Sequence, residues 1–573
     1  MNFKRIAAAA GAVLMISSNA FAAEVDVNKR KDDLNYLYDT LKEVHPNIFY
    51  NNDEEIFSKR ISEIEKKLPY DSDTEFMLDL QSLVSLVGDS HTSLTISMDD
   101  ADVFPVNMTK YDGKWTLTLA PEEYKECVGM RVDTIAGYSV DALCQKFAYI
   151  FSADNKEVLE YRFSKNFYVD DFLSYLGVKK HGEPLKIQGH DDNGKKYEMT
   201  VNSVSIQSIS DVKLAKLSDM RTAVPATEYN GEYYSSKPLN NSAYYIQYNK
   251  CDVDPDFPID KFEDKVKNEL NSGNYSQIII DMRNNGGGSD GVIQNTLKII
   301  KDYADKNGSE IYGLIGERTF SSAIINSVMI KEMGGYLVGV PTGGSVNHFG
   351  AVKGFKLPNS GLKVGYSTKM IWLSDFMDAA QGYDIEALQP DLVVYESIED
   401  YINGIDTVVE TVLAKPEIKE YETGKQLYMT RGGLVTELYK LSGDSMNTYP
   451  DVEFYDVFPF SETYKPICWA VKNGIAVGDG TGMFLPAKKI TREEAAVIID
   501  RFLDYMKIEK TNSKEIAYEG VSDWASASVN NIVSMGIMET ESGDFKAKDN
   551  ITKDCGITDR VSEIIGKADN RLK

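Results

Sequence analysis

Apolar residues recur at helical spacing through positions 29–87: Leu34, Leu37, Leu41 and Val44, then Ile61, Ile64 and Leu68, then Phe76, Leu80, Leu83, Val84 and Val87. Three helices are expected there. Pro46, after His45, ends the first, and Gly88 stands where a C-cap glycine belongs, so Asp89-Ser90-His91 falls in the turn after the third. Residues 104–205 mix strand and helix patterns. "GMRVDTIAGYSVDAL" (129–143) reads as strand, tight turn and helix start, and a polar hairpin turning at Asn193-Gly194 closes the region. Residues 241–395 alternate strands ("SAYYIQY", "SQIIIDMR", "YLVGVPT") with helices at 289–303 and 321–334, the pattern of an α/β core.

Residues 418–573 carry a repeat. "MTRGGLVTELYKLSG", "ITREEAAVIIDRFLD" and "ITKDCGITDRVSEII" align, and Thr430, Thr491 and Thr552 stand 61 positions apart both times. Threonine before an amphipathic run is a helix N-cap, and Glu494 completes a capping box with Thr491.

The chain has 573 residues, enough for about three to four domains. Its 88 acidic and 62 basic residues give a formal charge of −26, which disfavours a nucleic-acid partner. Apolar segments are too short to predict a transmembrane span. Lys4 and Arg5, the apolar run Ile6 to Ile16 and Ala20-Phe21-Ala22 read as a secretory signal peptide over 1–22, with cleavage after Ala22. The five cysteines (127, 144, 251, 468, 555) are too scattered for a zinc site and form no closed disulfide set; whether Cys127 and Cys144 pair is left open. No metal or cofactor is called for.

Three elements carry candidate chemistry. "IIIDMRNNGGG" (278–288) is a strand running into three glycines, where backbone N–H groups can approach a ligand; no Gly-Lys-Ser/Thr follows, so a Walker site is excluded, and a plain tight turn is the bland alternative. "GERTFSSA" (316–323) puts Ser321 and Ser322 at a strand-to-helix turn, as an N-cap or as an exposed nucleophile beside helix N–H dipoles. "LVGDSHTSL" (86–94) presents His91, by itself a solvated loop histidine. Of the other histidines, His45 reads as packing or capping, His181 and His190 as solvated, and His348, after the "PTGG" turn, as a residue that could line a cleft.

Together with "VGVPTGG" (338–344), "FKLPNSGLKV" (355–364) and "DIEALQPDLVV" (384–394), these motifs resemble, over roughly residues 30–400, the serine peptidases of the C-terminal processing and tricorn type. The resemblance implies Ser321 as nucleophile, Ser322 and Gly287 as oxyanion N–H donors, His91 as general base, Ser90 as its orienting serine and Glu386 as the acidic member. Tail-specific relatives carry a lysine just beyond the "G-x-P-T" turn. Here Gly343-Gly344-Ser345-Val346-Asn347 stands there and no lysine occurs before Lys353, which favours the Ser–His branch. Ile324 replaces the glutamate usual three residues after the nucleophile.

The repeats resemble surface-layer homology (SLH) units, which bind secondary cell-wall polysaccharide through a Thr-Arg-Ala-Glu motif. That implies Arg431, Arg492 and Glu494 as polysaccharide-binding residues, against a helix cap repeated for folding alone. The first copy has Gly433 in place of Glu and lacks a clear leading helix; the third has Lys553 and Cys555.

The expected chain is multidomain α+β: signal peptide 1–22, helical cap 23–103 carrying His91, PDZ-like insert 104–235, crotonase-like peptidase core 236–415 and all-α SLH repeats 416–573. The expected function is a secreted, cell-surface serine endopeptidase acting on peptide or unfolded protein, without metal or cofactor. The alternatives are an inactive peptidase-fold scaffold that binds peptide, and repeats that serve only self-association.

Overall fold

A computed structural model describes residues 26–423, 427–444, 452, 454, 456–457, 459, 461–510 and 516–569. The expected signal peptide lies outside them. The chain divides into two compact units, 1–228 with 348–371 and 394–414, and 229–347 with 372–393 and 415–573. The division departs from the linear order expected from sequence, because two segments of the expected core join the first unit.

In the first unit the apolar periodicity forms helices Val27–Val44, Glu54–Lys67 and Asp73–Ser85. Ser72 and Glu75 form a capping box on the third. Leu34, Leu37, Leu41, Ile64, Leu80, Leu83 and Val84 are buried in one cluster. Just past His91, Ser93–Leu94 pairs antiparallel with Lys363–Tyr366, which pairs in turn with Lys353–Lys356. This pairing draws 348–371 into the unit. A seven-stranded sheet, with Lys114–Pro121, Arg131–Ile135 and Leu185–His190 adjacent at its centre, packs with helices Val140–Phe147 and Lys156–Asn166 around Phe147, Phe163 and Phe167. The hairpin expected at Asn193-Gly194 spans Asp191 to Lys195 instead. The Asp191 carboxylate accepts the N–H groups of Asn193 and Lys195, so an Asx turn replaces a two-residue loop.

In the second unit a six-stranded sheet runs Tyr234–Pro238, Ala243–Tyr248, Gln277–Asp281, Glu310–Ile315, Tyr336–Gly339, Leu392–Val393. Only the first pair is antiparallel. Every residue of Ala243–Tyr248 and Gln277–Asp281 is buried, as expected of parallel strands covered on both faces. Crossover helices Gln294–Asn307 and Ser322–Glu332 follow the third and fourth strands. The former starts five residues later than expected from sequence. Gly288 pairs with Cys251 and Ser289 donates its N–H to the Cys251 carbonyl, which keeps the chain extended past the glycines.

The repeats, in the same unit, close into a ring. Met429 N–H donates to Ile551, Ile551 N–H to Ile490, and Ile490 N–H to Met429. A second ring follows: Arg431 N–H to Lys488, Arg492 N–H to Asp549, Lys553 N–H to Leu427. The 61-residue period is therefore a pseudo-threefold axis. Helices Arg431–Ser442, Tyr464–Lys472, Arg492–Tyr505, Ser526–Ser534 and Ile557–Asp569 surround a core that includes Trp469, Ile490, Phe502, Phe545 and Val561. Thr430 and Thr491 cap their helices. Thr552 does not: Gly556, at φ 66°, breaks the chain and its helix begins at Ile557.

All five cysteines are free thiols, so Cys127 and Cys144 do not pair. No helix of the described residues is long and apolar enough to cross a membrane.

Candidate functional site

In the second unit Ser321 follows the strand Glu310–Ile315 and precedes the helix Ser322–Glu332, at the carboxyl end of the parallel sheet, where open α/β sheets bind ligands. Its φ of 54° and ψ of −128° are rare for a residue with a side chain, a strain of about 1–3 kcal/mol, and its hydroxyl caps nothing in the helix. The N-cap alternative thus fails for Ser321. Ser322 is buried and donates its hydroxyl to the Gly288 carbonyl at 2.7 Å.

The glycine run lies against this turn. Gly287 has φ 99°, and a Cβ there would stand 2.8 Å from the Phe320 carbonyl oxygen and 3.2 Å from the Ser322 nitrogen. Asn285 holds the loop. Its main-chain oxygen accepts Phe320 N–H at 3.0 Å, its side-chain N–H donates to the Tyr248 carbonyl at 3.0 Å, and its Oδ1 accepts Gly287 N–H at 2.9 Å. Gly287 N–H, expected to face an oxyanion, donates to Asn285 here. Ser322 N–H, in the first turn of its helix, takes no acceptor among the described residues. Ile324, at the position of the missing glutamate, is fully buried, and Gly344 of the "PTGG" turn packs on it.

Glu386 belongs to the same unit. Its segment zips along the "PTGG" turn: Val346 N–H donates to the Glu386 carbonyl, and Leu388 N–H to Thr342 Oγ1 at 2.9 Å. Its carboxylate accepts Asp384 N–H at 3.2 Å.

His91 and Ser90 lie in the first unit. The Ser90 hydroxyl donates to Asp154 Oδ1 at 2.5 Å and accepts Asp154 N–H at 3.1 Å, while its carbonyl accepts from Arg162. Burial pushes the Asp154 carboxyl up against the lowering effect of Ser90, and lowers the Arg162 guanidinium.

Beside the imidazole stands Asp89, a residue given no role from sequence. It is fully buried. Oδ1 accepts His91 main-chain N–H at 2.8 Å and lies 3.8 Å from His91 Nδ1; Oδ2 lies 3.2 Å from His45 Nε2 and accepts from Thr92 Oγ1. Burial alone would raise its carboxyl, but His45, His91 and Thr92 more than offset that and hold it well below the usual carboxylate range. The His348 ring stacks on His91 at 5.4 Å. The Asp-Ser-His triplet was the only available signal, since His45 sits 44 positions upstream of Asp89.

The expected polysaccharide-binding residues hold the repeats together. Arg431 donates from Nε to the Phe484 carbonyl and from Nη2 to Val477, and lies over the Phe484 ring. Arg492 repeats this on Phe545 and Glu539. Arg560 donates to Ile537 and Cys555. Glu494 accepts Thr491 N–H and pairs with Lys488 at 2.8 Å. Among the described residues no cluster could hold a metal ion.

No curated protein matches the chain. Among solved structures, mature CPAF is similar at 14% identity and a TM-score of 0.47, over 68% of this chain and 96% of that one. The photosystem II D1 C-terminal processing protease is similar at 12% identity and a TM-score of 0.35, over 67% and 96%. A putative S41 protease from Bacteroides fragilis is similar at 12% and 0.26, over 64% and 91%. At such scores the likeness assigns no residue a role. Residues 453–496 and 518–554 match the family model of the S-layer homology domain, so the C-terminal region carries S-layer homology sequence over those residues.

Proposed function

We propose that the chain is a secreted, cell-surface serine endopeptidase acting on peptides or unfolded protein, with repeats that attach it to the cell wall. Ser321 Oγ attacks the scissile carbonyl carbon and His91 takes the hydroxyl proton. The tetrahedral oxyanion is met by Ser322 N–H. Collapse breaks the C–N bond, the amine leaves with the proton from His91, and water then hydrolyses the acyl-enzyme with His91 again as base. Glu386 is the acidic member of the group.

The observation that carries this reading is the backbone of Ser321. A strained residue whose hydroxyl serves no cap, pressed against a glycine run at the carboxyl end of a parallel sheet, is what an exposed nucleophile requires. The Asp89–His91 pair in the other unit supplies the chemistry of a base.

A fluorophosphonate probe tests it. The wild type should label and Ser321→Ala should not; full labelling of Ser321→Ala, or none of the wild type, would refute the assignment. For the repeats, supported by the family match and the closed ring, the full chain should sediment with purified cell walls and be released by free wall polysaccharide.

A further inference from the structure

We propose that Asp89 is the positioning residue of the His91 imidazole, and that His45 fixes Asp89 for that task. The inference rests on the peptidase reading for its consequence, while its geometry lies wholly within the first unit.

His45 Nδ1 accepts the Asn47 main-chain N–H at 3.1 Å, so the neutral ring carries its proton on Nε2. That N–H points to Asp89 Oδ2 at 3.2 Å. Thr92 donates to the same oxygen. Oδ1 is anchored by His91 main-chain N–H at 2.8 Å. The carboxylate is thus held on both oxygens and cannot turn away. His45 in turn packs on Phe349, with ring centroids 4.8 Å apart, and is buried.

The free face of Oδ1 lies 3.8 Å from His91 Nδ1, an ion-pair distance that a bound substrate can tighten. A carboxylate there selects the tautomer with hydrogen on Nδ1. It leaves the Nε2 lone pair as the base and stabilises the imidazolium formed when that lone pair takes a proton. Ser90 cannot substitute, since its one hydroxyl proton goes to Asp154. Within the first unit, His348 stacks on the imidazole and the Asp154–Arg162 pair lies behind Ser90.

The full chain, labelled with ¹⁵N-histidine, is the test; its five histidines can be assigned by single substitutions. His91 should show the Nδ1–H tautomer in the wild type and in Ser90→Ala, and lose it in Asp89→Asn. Fluorophosphonate labelling of Ser321 should slow roughly 10²–10⁴-fold in Asp89→Asn, with its acid limb moved to lower pH. His45→Gln, whose amide can still donate to Asp89, should slow labelling less than Asp89→Asn, and it carries the test if Asp89→Asn does not fold. An unchanged tautomer in Asp89→Asn, or one that shifts in Ser90→Ala instead, overturns the proposal; so does labelling in His45→Leu at the wild-type rate. Should the wild type not label at all, the peptidase reading fails while the tautomer still decides the role of Asp89.

Discussion

Gly287 and Ser321 approach so closely that a methyl group on Gly287 would stand 2.8 Å from the Ser321 Cβ. The same methyl would meet the Phe320 carbonyl oxygen at 2.8 Å, and φ of 99° is unfavourable for any other residue. Gly287→Ala should therefore lower stability by about 1–3 kcal/mol and displace the serine turn, with loss of most fluorophosphonate labelling. Gly286 is exposed and a Cβ there meets nothing within 4 Å. Gly286→Ala should stay within about 0.5 kcal/mol of the wild type by chemical denaturation.

The helices, the glycine corner and the serine turn were legible because each has a local signature: a 3.6-residue apolar period, a glycine run after a buried strand, a serine between strand and helix. The repeat was legible by its period. What remained hidden depends on contacts far apart in sequence. Nothing near Asp89 announces His45 as its partner. Nothing in Ser93–Leu94, a two-residue strand, announces that it will pair with Gly365 and Val364 and draw that hairpin into the first unit. A Thr-Arg pair looks the same whether the guanidinium faces a sugar or a neighbouring carbonyl. The direction of the Gly287 N–H depends on Asn285, whose side chain could as easily have faced solvent.

Arg492 bridges the second and third repeats through two backbone carbonyls and the Phe545 ring. Arg492→Ala leaves both carbonyls without that donor and should cost about 1–3 kcal/mol, lowering the melting transition of the repeats. Arg492→Lys should recover little, because a single ammonium cannot reproduce the fork. Lys440→Ala, which removes only an exposed pair with Glu437, should change stability by at most about 0.5 kcal/mol.

Thiol chemistry follows burial. Cys127, Cys144, Cys251 and Cys468 are buried, and Cys555 is half-buried. Burial pushes the Cys144 and Cys251 thiols up to about 12, so little thiolate is present near neutrality. In the folded protein a thiol reagent should react first at Cys555 and only slowly elsewhere, with all five cysteines titrating after denaturation. A reducing agent should leave the melting temperature unchanged. Rapid reaction of a second thiol in the native state, or a melting temperature lowered by reductant, would contradict the free, enclosed thiols.

Glu332 ends the helix that Ser322 begins, and its main-chain oxygen accepts the N–H of Glu462 from the repeat region. Its carboxylate accepts Ala379 N–H at 2.6 Å. Burial, then the neighbouring Asp378 carboxyl, pushes Glu332 up to about 8, with Glu462 adding to the rise and Lys553 opposing it. Asp378 is itself raised by burial, so the two carboxyls titrate as a pair. The folded protein then holds a proton that the unfolded chain releases near the ordinary glutamate value. Stability from this group is fully present below about pH 4.5 and is lost as pH rises toward about 8, at no more than about 1.4 kcal/mol per pH unit. Glu332→Gln keeps an oxygen for Ala379 N–H and removes the charge. Its stability relative to the wild type should be near zero at the acid end of that window and grow steadily toward pH 8, measured by denaturant unfolding at fixed temperature. A difference that stays constant across the window would mean that Glu332 is ionised in the folded protein throughout.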